Sequence, residues 1–255
     1  MQKIATLGPS NTFSEKAAKI YIQKTGIDFE VNLFPSFNKV FAAMTAGCDT
    51  GIFPIENMTE GHVSNVLDIL VNSDFSIVDE ILLPIQFSLV GNCGKIEDIE
   101  KLYVQFVSQR QCEKIVDKVS SSAAIITTES NGASLEQVKK GIDGEAAIVP
   151  VFCADGGDFE LVVENVADYA NNQTRFVVIK KSPAKHDPSK DYKTSLLVYE
   201  TTDRAGVLSE ILQAFASRGI NLVSIMSRPT KEMFGRYHFF IDIEGYFFAS
   251  KVQEA

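Results

Sequence analysis

The chain is poor in the residues that build metal sites and disulfide frameworks. It has 4 cysteines and 3 histidines among 255 residues, and Cys48, Cys93, Cys112 and Cys153 form no CxxC pair. This scatter argues against a zinc site and is typical of reduced, buried thiols in a cytosolic protein. No apolar stretch reaches the about 18 residues that a membrane span requires, and the N-terminus, MQKIATLGPS, lacks the apolar core of a secretion signal. We therefore expect a soluble, cytoplasmic protein.

Positive charge is also scarce. The 24 Lys and Arg residues stand against 33 Asp and Glu, which gives a net charge of −9. Nucleic acids and anionic membrane surfaces both call for clustered positive charge, so neither is expected as a partner. A small anionic ligand is still compatible, because the local field of a site can oppose the global one. The chain also lacks a G-x-G-x-x-G fingerprint, a Walker loop and any His/Cys cluster, so we expect no cofactor and no metal.

What the chain does contain is an alternation of short apolar strands and amphipathic helices. With 45% hydrophobic residues it can bury a sizeable core, and its 255 residues suit two or three lobes. Strands and helices in alternation predict an α/β sheet covered on both faces. The last strand of this part, 174-TRFVVIK-180, is expected to rejoin the first lobe and to leave a ligand cleft between two lobes. The expected boundaries are 1–80 with 166–182 for lobe one, and 81–165 for lobe two.

A smaller module follows a polar linker. Residues 183–193, PAKHDPSKDYK, have almost nothing to bury and are typical of a linker. Residues 194–255 then follow the order strand, helix, strand, strand, which predicts a ferredoxin-like α+β module. Such a module normally needs a further helix and strand, yet the sequence stops at 250-SKVQEA-255. The module is therefore either truncated or incomplete.

Five short motifs in order resemble those of prephenate dehydratases followed by an ACT regulatory domain. They are 8-GPSNTFSEKAA-18, 54-PIENMTEGHV-63, 129-ESNGAS-134, 172-NQTRF-176, and the pair 206-GVL-208 with 227-SRP-229. Each motif is weak alone, and the order together with the linker makes the resemblance specific. It covers nearly the whole chain and implies a two-lobed, periplasmic-binding-protein-like catalytic domain over residues 1–182, with an ACT domain over residues 194–255.

Several positions depart from the family pattern. The departures are Asn11 for a glycine, Met58 for a serine, Phe87 for a histidine, Met226 for a glutamate, and an eroded 104-VQFVSQRQC-112 in which Gln111 and Cys112 still fit. They leave the Thr174–Arg175 pair intact. They bear on substrate choice and on the effector response.

The resemblance implies that Thr174 assists the departing hydroxyl of prephenate and that Arg175 binds a substrate carboxylate or shapes the surroundings of Thr174. A threonine is a very weak acid, so it would act as a positioned hydrogen-bond donor and relay. A guanidinium matches a carboxylate with two parallel hydrogen bonds. Judged without the resemblance, Thr174 is equally a strand-edge hydroxyl bonded to backbone, and Arg175 is equally a partner in a structural salt bridge.

Other polar residues are expected around the cleft. Glu56 and Glu129 each follow an apolar strand, where α/β proteins place ligands, and both are taken as catalytic candidates. A plain turn cap is the alternative for Glu56. The substrate-binding candidates are Asn57, Gln111, Thr12, Ser14 and Phe176. Thr12 and Ser14 open a helix whose N-terminal amides suit a carboxylate, although Ser14 is equally a plain N-cap.

In the second module the resemblance implies an effector site for phenylalanine formed by Gly206, Val207, Leu208, Ser227, Arg228 and Pro229. A helix start capped by Asp203 is expected in either case. The function implied is decarboxylating dehydration of prephenate to phenylpyruvate, water and CO2, in a homodimer or homotetramer regulated by phenylalanine. The alternatives are arogenate as substrate, a prephenate decarboxylase, or a catalytically silent amino-acid sensor on the same fold.

Overall fold

The structure, a computed structural model, describes residues 1–71, 73–155, 158–183, 185–199, 204–230 and 236–255. The chain forms two compact units, Met1–Pro183 and Ala184–Ala255. In the described residues, no helix is long and apolar enough to cross a membrane.

The first unit contains a mixed sheet that holds both ends of its chain. Its strands have the order β2-β1-β3-β11-β5, with the short β4 beside β3. The first three run parallel, and β11 runs antiparallel to both β3 and β5. Helices α1, α2 and α3 belong to this lobe. The bounds are β1 Gln2–Leu7, α1 Phe13–Thr25, β2 Phe29–Phe34, α2 Phe37–Thr45, β3 Thr50–Asn57, β4 Gly61–His62, α3 Ser64–Val71, β5 Ser76–Pro84 and β11 Gln173–Lys180.

A second sheet in the same unit has the order β10-β6-β9-β7-β8. Strand β7 is parallel to β8 and β9, whereas β6 is antiparallel to β9 and β10. Together the two sheets form the two-lobed α/β fold that was expected. The bounds are β6 Phe87–Gly91, β7 Lys101–Gln105, α4 Phe106–Gln111, α5 Glu113–Ser120, β8 Ala124–Thr128, α6 Asn131–Val138, β9 Glu145–Pro150 and β10 Leu161–Val163, with 3-10 turns at Ile96–Asp98 and Val151–Cys153.

Two elements differ from those predicted. The residue pattern predicts one apolar strand over 80-EILLPIQFSLVG-91, but this run is divided between β5 and β6, and the chain passes from one sheet to the other at residues 85–86. The pattern also predicts one helix over residues 109–119, but the structure has two helices separated at Cys112, whose φ of −132° and ψ of 34° are not helical. In both places the apolar pattern continues across the break, so periodicity alone did not reveal it.

The lobes meet around the first turn of α1. The ring of Phe13 makes edge contacts with Phe87 at 5.4 Å and with Phe152 at 5.5 Å, both from the second lobe. Gly132, at the start of α6, lies so close to the first loop that an added Cβ would stand 2.5 Å from the carbonyl oxygen of Ser10. The first loop is therefore held against the N-terminus of a helix of the other lobe.

The second unit is a three-stranded antiparallel sheet with one main helix. Its strand order is β12-β14-β13, which fits the ferredoxin-like pattern. A small core that includes Phe215, Ile241 and Ile243 lies between helix and sheet. The bounds are β12 Lys193–Val198, α7 Val207–Ala216, β13 Leu222–Pro229, β14 Tyr237–Glu244 and α8 Ser250–Gln253.

The contact at Gly132 yields a stability prediction. Alanine is favoured over glycine inside a helix by about 1 kcal/mol, but the clash with the Ser10 carbonyl forces a shift of the kind that costs about 1–3 kcal/mol. The clash less the propensity gain amounts to at most about 2 kcal/mol, and we expect Gly132→Ala to lower the free energy of unfolding by up to that amount in a denaturant titration. The control is Gly94→Ala, because no atom of the described residues lies within 4 Å of the added Cβ there. Equal stability of the two variants would contradict this packing.

Candidate active site

The hydroxyl of Thr174 is held by Asn57, its neighbour across the strands β3 and β11. Asn57 Nδ2 donates to Thr174 Oγ1 at 2.9 Å and to the Gln173 carbonyl at 3.2 Å. Asn57 Oδ1 accepts from Thr59 N, Thr59 Oγ1 and Glu60 N at 2.8–2.9 Å. Because the oxygen is occupied by these donors, the orientation of the amide is fixed, and Thr174 Oγ1 must be the acceptor. The proton of the Thr174 hydroxyl is therefore left for another acceptor.

Arg175 lies on the other face of the sheet. Successive residues of a strand point to opposite faces, and Arg175 pairs with Glu56 whereas Thr174 pairs with Asn57. Arg175 Nε donates to Glu80 Oε2 at 2.9 Å, and its Nη1 lies 3.8 Å from Glu56 Oε2. His62 Nε2 lies 3.5 Å from the same Glu56 side chain. Arg175 thus joins carboxylates of β3 and β5. The side chain that contacts the Thr174 hydroxyl is that of Asn57, and Glu56 pairs with Arg175.

The first loop caps α1 with Thr12. Thr12 Oγ1 accepts from Glu15 N at 3.4 Å and donates to the Pro9 carbonyl at 3.1 Å, so Thr12 is the N-cap and Ser14 is not. Asn11 has a φ of +63°, a conformation that asparagine tolerates better than most residues, which explains its place at a family glycine. Although burial would raise the pKa of Glu15, hydrogen bonds from Lys19 and from the Asn11 N–H outweigh it and hold that pKa below its usual range.

Ser14 lies on the buried face of α1, one turn before Ala17 and Ala18. That face packs on the side of the first sheet that carries Phe176 and Val178, and residues alternate so that Thr174 shares this side. The first-turn amides of Phe13 and Ser14 have no acceptor within the helix. The start of α1 and the hydroxyl of Thr174 therefore lie on one face of the sheet, at the carboxyl end of β3.

Gln111 and Asn172 connect the second lobe to this region. Asn172 Nδ2 donates to Gln111 Oε1 at 3.0 Å, and both side chains are buried. Asn172 Oδ1 is buried without a hydrogen-bond partner among the described residues. Asn172 also lines a hollow of about 550 Å³ together with Met58, Thr59 and residues 168–171. Residues 168–172 and the turn after β3 thus line one hollow, and the amide oxygen of Asn172 is buried away from solvent.

The remaining predicted residues are more widely spread. Glu129 is exposed between β8 and α6, and Phe176 is 2% exposed within the core. Met58, at the family serine position, is 67% exposed at the hollow, and its N–H donates to the Gln173 carbonyl at 3.0 Å. Burial raises the pKa of Cys112 to about 12 and that of Cys153 to about 11, so both thiols are protonated at neutral pH. The site roles assigned to these residues from the sequence remain predictions.

In the second unit, Gly206 is the N-cap of α7 and has a φ of +93°. Among the described residues, which exclude 200–203, no atom lies within 4 Å of a Cβ built on Gly206. Val207 and Leu208 form the first turn, and Ser227, Arg228 and Pro229 end β13, where they pair with β14. The expected cap, Asp203, lies outside the described residues. Val223 and Ile225 are exposed on β13.

Sequence reasoning did not single out Asn172 or Glu60. Asn172 is part of the 172-NQTRF-176 motif, which marks it as a residue of interest. The motif does not predict that the Asn172 amide is buried against Gln111. Glu60 follows Asn57 in a turn, and its side chain forms an ion pair with Arg110 of the second lobe. That pairing joins residues 50 positions apart in the chain.

The first unit is a two-lobed α/β domain with polar residues and a helix N-terminus at the carboxyl end of β3, and a small α+β module follows it in the chain. The chain matches the family described as prephenate dehydratase over residues 4–184 and the ACT domain over residues 194–247. It belongs to the prephenate dehydratase family and carries an ACT domain.

Individual relatives agree with this assignment. The chain is 33% identical over 254 residues to a bifunctional chorismate mutase/prephenate dehydratase of Aquifex aeolicus, covering 99% of this chain and 68% of that protein. It is 34% identical to a prephenate dehydratase of Methanocaldococcus jannaschii, covering 92% and 86%. A crystal structure of a prephenate dehydratase from Arthrobacter aurescens in complex with L-Phe is similar with a TM-score of 0.83 at 30% identity, covering 99% and 83%.

Proposed function

We propose that this protein is a prephenate dehydratase, a hydro-lyase that converts prephenate to phenylpyruvate for phenylalanine biosynthesis. The observation that carries the proposal is the hydrogen bond from Asn57 Nδ2 to Thr174 Oγ1, with the Asn57 oxygen fully occupied. It prepares a threonine O–H for a single task, which is to donate toward the cleft. Family membership supports the substrate class, and this geometry supports Thr174 as the donor.

The reaction breaks two bonds of the substrate ring. The bond to the ring carboxylate breaks and releases CO2, and its electron pair enters the ring. The bond to the ring hydroxyl breaks at the opposite carbon, and the departing oxygen takes up one proton and leaves as water. The prephenate dianion and one proton thus give the phenylpyruvate anion, CO2 and water. The gain of aromaticity drives the reaction, so the enzyme has to position the ring and assist the leaving hydroxyl.

Thr174 is proposed as the donor to the leaving hydroxyl. Its Oγ1 already accepts from Asn57, so its own proton can point to the substrate oxygen. The leaving hydroxyl is proposed to accept from Thr174, and this hydrogen bond orients it for departure. Solvent then returns the proton that Thr174 relays.

The substrate carboxylates are proposed to meet the start of α1. Amides of a helix N-terminus attract anions, and here the first turn carries Thr12 as cap and Ser14 on the buried face. Gln111 adds a neutral amide, which causes no charge repulsion with a dianion. Asn57, the other predicted binding amide, is proposed to act through Thr174, because its Nδ2 already donates to Thr174 Oγ1 and to the Gln173 carbonyl. Glu129 is the candidate carboxylate on the second lobe. Its exposure allows it to approach the substrate without the cost of an unpaired buried charge.

Arg175 is proposed to position the strand rather than to bind the substrate. Its guanidinium contacts Glu80 of β5 and Glu56 of β3, so it joins the two strands that flank β11. Its side chain is 11% exposed, which limits the access of a ligand to the fork. By fixing β11 from the opposite face, Arg175 and Glu56 keep Thr174 in register with Asn57.

The proposal is tested first by incubating the purified protein with prephenate and following phenylpyruvate by its absorbance. We expect Thr174→Ala to lower kcat by about 10²–10⁴, as for loss of a general acid, with little change in melting temperature. Thr174→Ser keeps the hydroxyl and is the matched control, with kcat within about tenfold of the wild type. If Thr174→Ala keeps its activity within a few-fold, Thr174 is not the donor.

A second prediction separates positioning from substrate binding at Arg175. Lysine keeps the charge but cannot hold two carboxylates with a planar fork, so Arg175→Lys should lower the melting temperature and kcat while KM for prephenate stays within about threefold. The measurement is a steady-state titration with a parallel thermal melt. A variant with unchanged stability and a KM raised more than tenfold would instead assign the guanidinium to the substrate carboxylate.

Control by phenylalanine is proposed for the second unit. Gly206 is the left-handed N-cap of α7, and the amides at the start of that helix suit the carboxylate of an amino acid. The effector residues proposed are Gly206, Val207, Leu208, Ser227, Arg228 and Pro229. The related Arthrobacter aurescens structure contains L-Phe, which supports this ligand class.

We expect L-Phe to raise the melting temperature and to lower activity, and D-Phe to do neither. Gly206→Ala should abolish the shift, because alanine strains a φ of +93°. The matched control is Gly219→Ala beyond the other end of α7, where φ is +58°: it should destabilise the unit comparably yet keep the shift. Loss of the shift in both variants, or no shift in the wild type, would count against this site.

The oligomeric state, the cellular location and the choice between prephenate and arogenate are further parts of the proposal. A homodimer or homotetramer and a cytoplasmic location are expected, and sedimentation of the purified protein measures the first. If arogenate gives product and prephenate gives none, the substrate carries the amine. If neither reacts while L-Phe binds, the protein is a sensor on the same fold.

A further inference from the structure

The turn that holds Asn57 is tied to the second lobe by an ion pair. Glu60 lies between β3 and β4 in the first lobe, and Arg110 lies in α4 of the second. Arg110 Nη2 contacts Glu60 Oε2. The Arg110 guanidinium also packs 5.1 Å from the centroid of the Phe106 ring, which orients its side chain.

Two hydrogen bonds in series connect the backbone of Glu60 to the hydroxyl of Thr174. The backbone N–H of Glu60 donates to Asn57 Oδ1 at 2.9 Å, and Asn57 Nδ2 donates to Thr174 Oγ1 at 2.9 Å. A displacement of Glu60 therefore acts on the amide that orients Thr174. On the other side, Gln111 follows Arg110 and accepts from Asn172, two residues before Thr174. Both connections lead from α4 to the strand that carries Thr174.

We propose that Glu60 and Arg110 are positioning residues that couple closure of the two lobes to the orientation of the Thr174 hydroxyl. This inference rests on the proposed function. When the lobes are together, the ion pair holds the turn at residues 57–60, and the Asn57 amide presents its Nδ2 to Thr174. When the lobes separate, the turn loses its contact with α4, and the Asn57 amide keeps only the hydrogen bonds of its own lobe. The Thr174 hydroxyl is then oriented for donation only when the two lobes are closed around the substrate.

The pair is suited to this role because it is partly exposed. The side chains of Arg110 and Glu60 are 49% and 21% exposed, so the contact can form and break without burying an unpaired charge. Ion pairs of this kind contribute little to folding. Loss of the Glu60–Arg110 ion pair is therefore expected to lower kcat and to leave the free energy of unfolding nearly unchanged.

The experiment measures kcat and KM for prephenate in full-length variants. We expect Glu60→Gln and Arg110→Gln each to lower kcat by about fivefold, with KM and melting temperature close to the wild type. The charge-swapped double variant, Glu60→Arg with Arg110→Glu, should recover most of kcat. The matched control is Lys24→Gln, which removes an ion pair of similar exposure, 52% and 30%, within the first lobe alone. It should leave kcat unchanged.

Each other result overturns the coupling. Wild-type kcat in both single variants would mean that the pair is an ordinary surface contact. A raised KM with unchanged kcat would place Arg110 in substrate binding. A loss that the swapped pair fails to recover, or an equal loss in Lys24→Gln, would indicate a general structural effect. A wild-type protein without prephenate activity would refute the proposed function itself, which is a separate outcome.

Discussion

The proposed active-site geometry depends on one hydrogen bond across two antiparallel strands. Asn57 donates to Thr174 because its oxygen is already saturated by the turn that follows, and the threonine proton is left for another acceptor. A hydroxyl is too weak an acid to act by its pKa, so its usefulness depends on where its proton points. The rest of the first lobe keeps this pair in register: Arg175 joins β3 and β5 from one face, and α1 with its core covers the other.

The charged side chains around Arg175 and the proposed donor, Thr174, lie on opposite faces of the first sheet. The carboxylates of Glu56 and Glu80 lie with Arg175 on the face of the sheet opposite Thr174. On the Thr174 face lie the Asn57 amide and the N-terminus of α1, and a helix N-terminus attracts an anion. This division explains how a chain with a net charge of −9 can offer an anionic substrate a favourable site. Local placement of the charges matters here more than their sum.

Residue patterns predicted the strand at Thr174, the two lobes and the module after the linker, since those depend on local apolar periodicity and turn residues. They did not predict which side chain meets Thr174, because that depends on the register of strands 117 residues apart and on the irregularity between Arg175 and Phe176. The same limit applies to the division of one apolar run between β5 and β6. Asn11 and Thr12 show the converse: a left-handed φ and a cap are local requirements, and the family motif carries them in recognisable residues.

The most direct test of the central claim is kcat of Asn57→Asp in the conversion of prephenate. Aspartate has the same shape and keeps the acceptor for the turn, but it removes the donor to Thr174 and offers a carboxylate that would take the threonine proton. The account predicts that kcat falls by about 10²–10³ with the fold intact, and that adding Thr174→Ala lowers it little further. An Asn57→Asp variant with wild-type kcat would contradict the account.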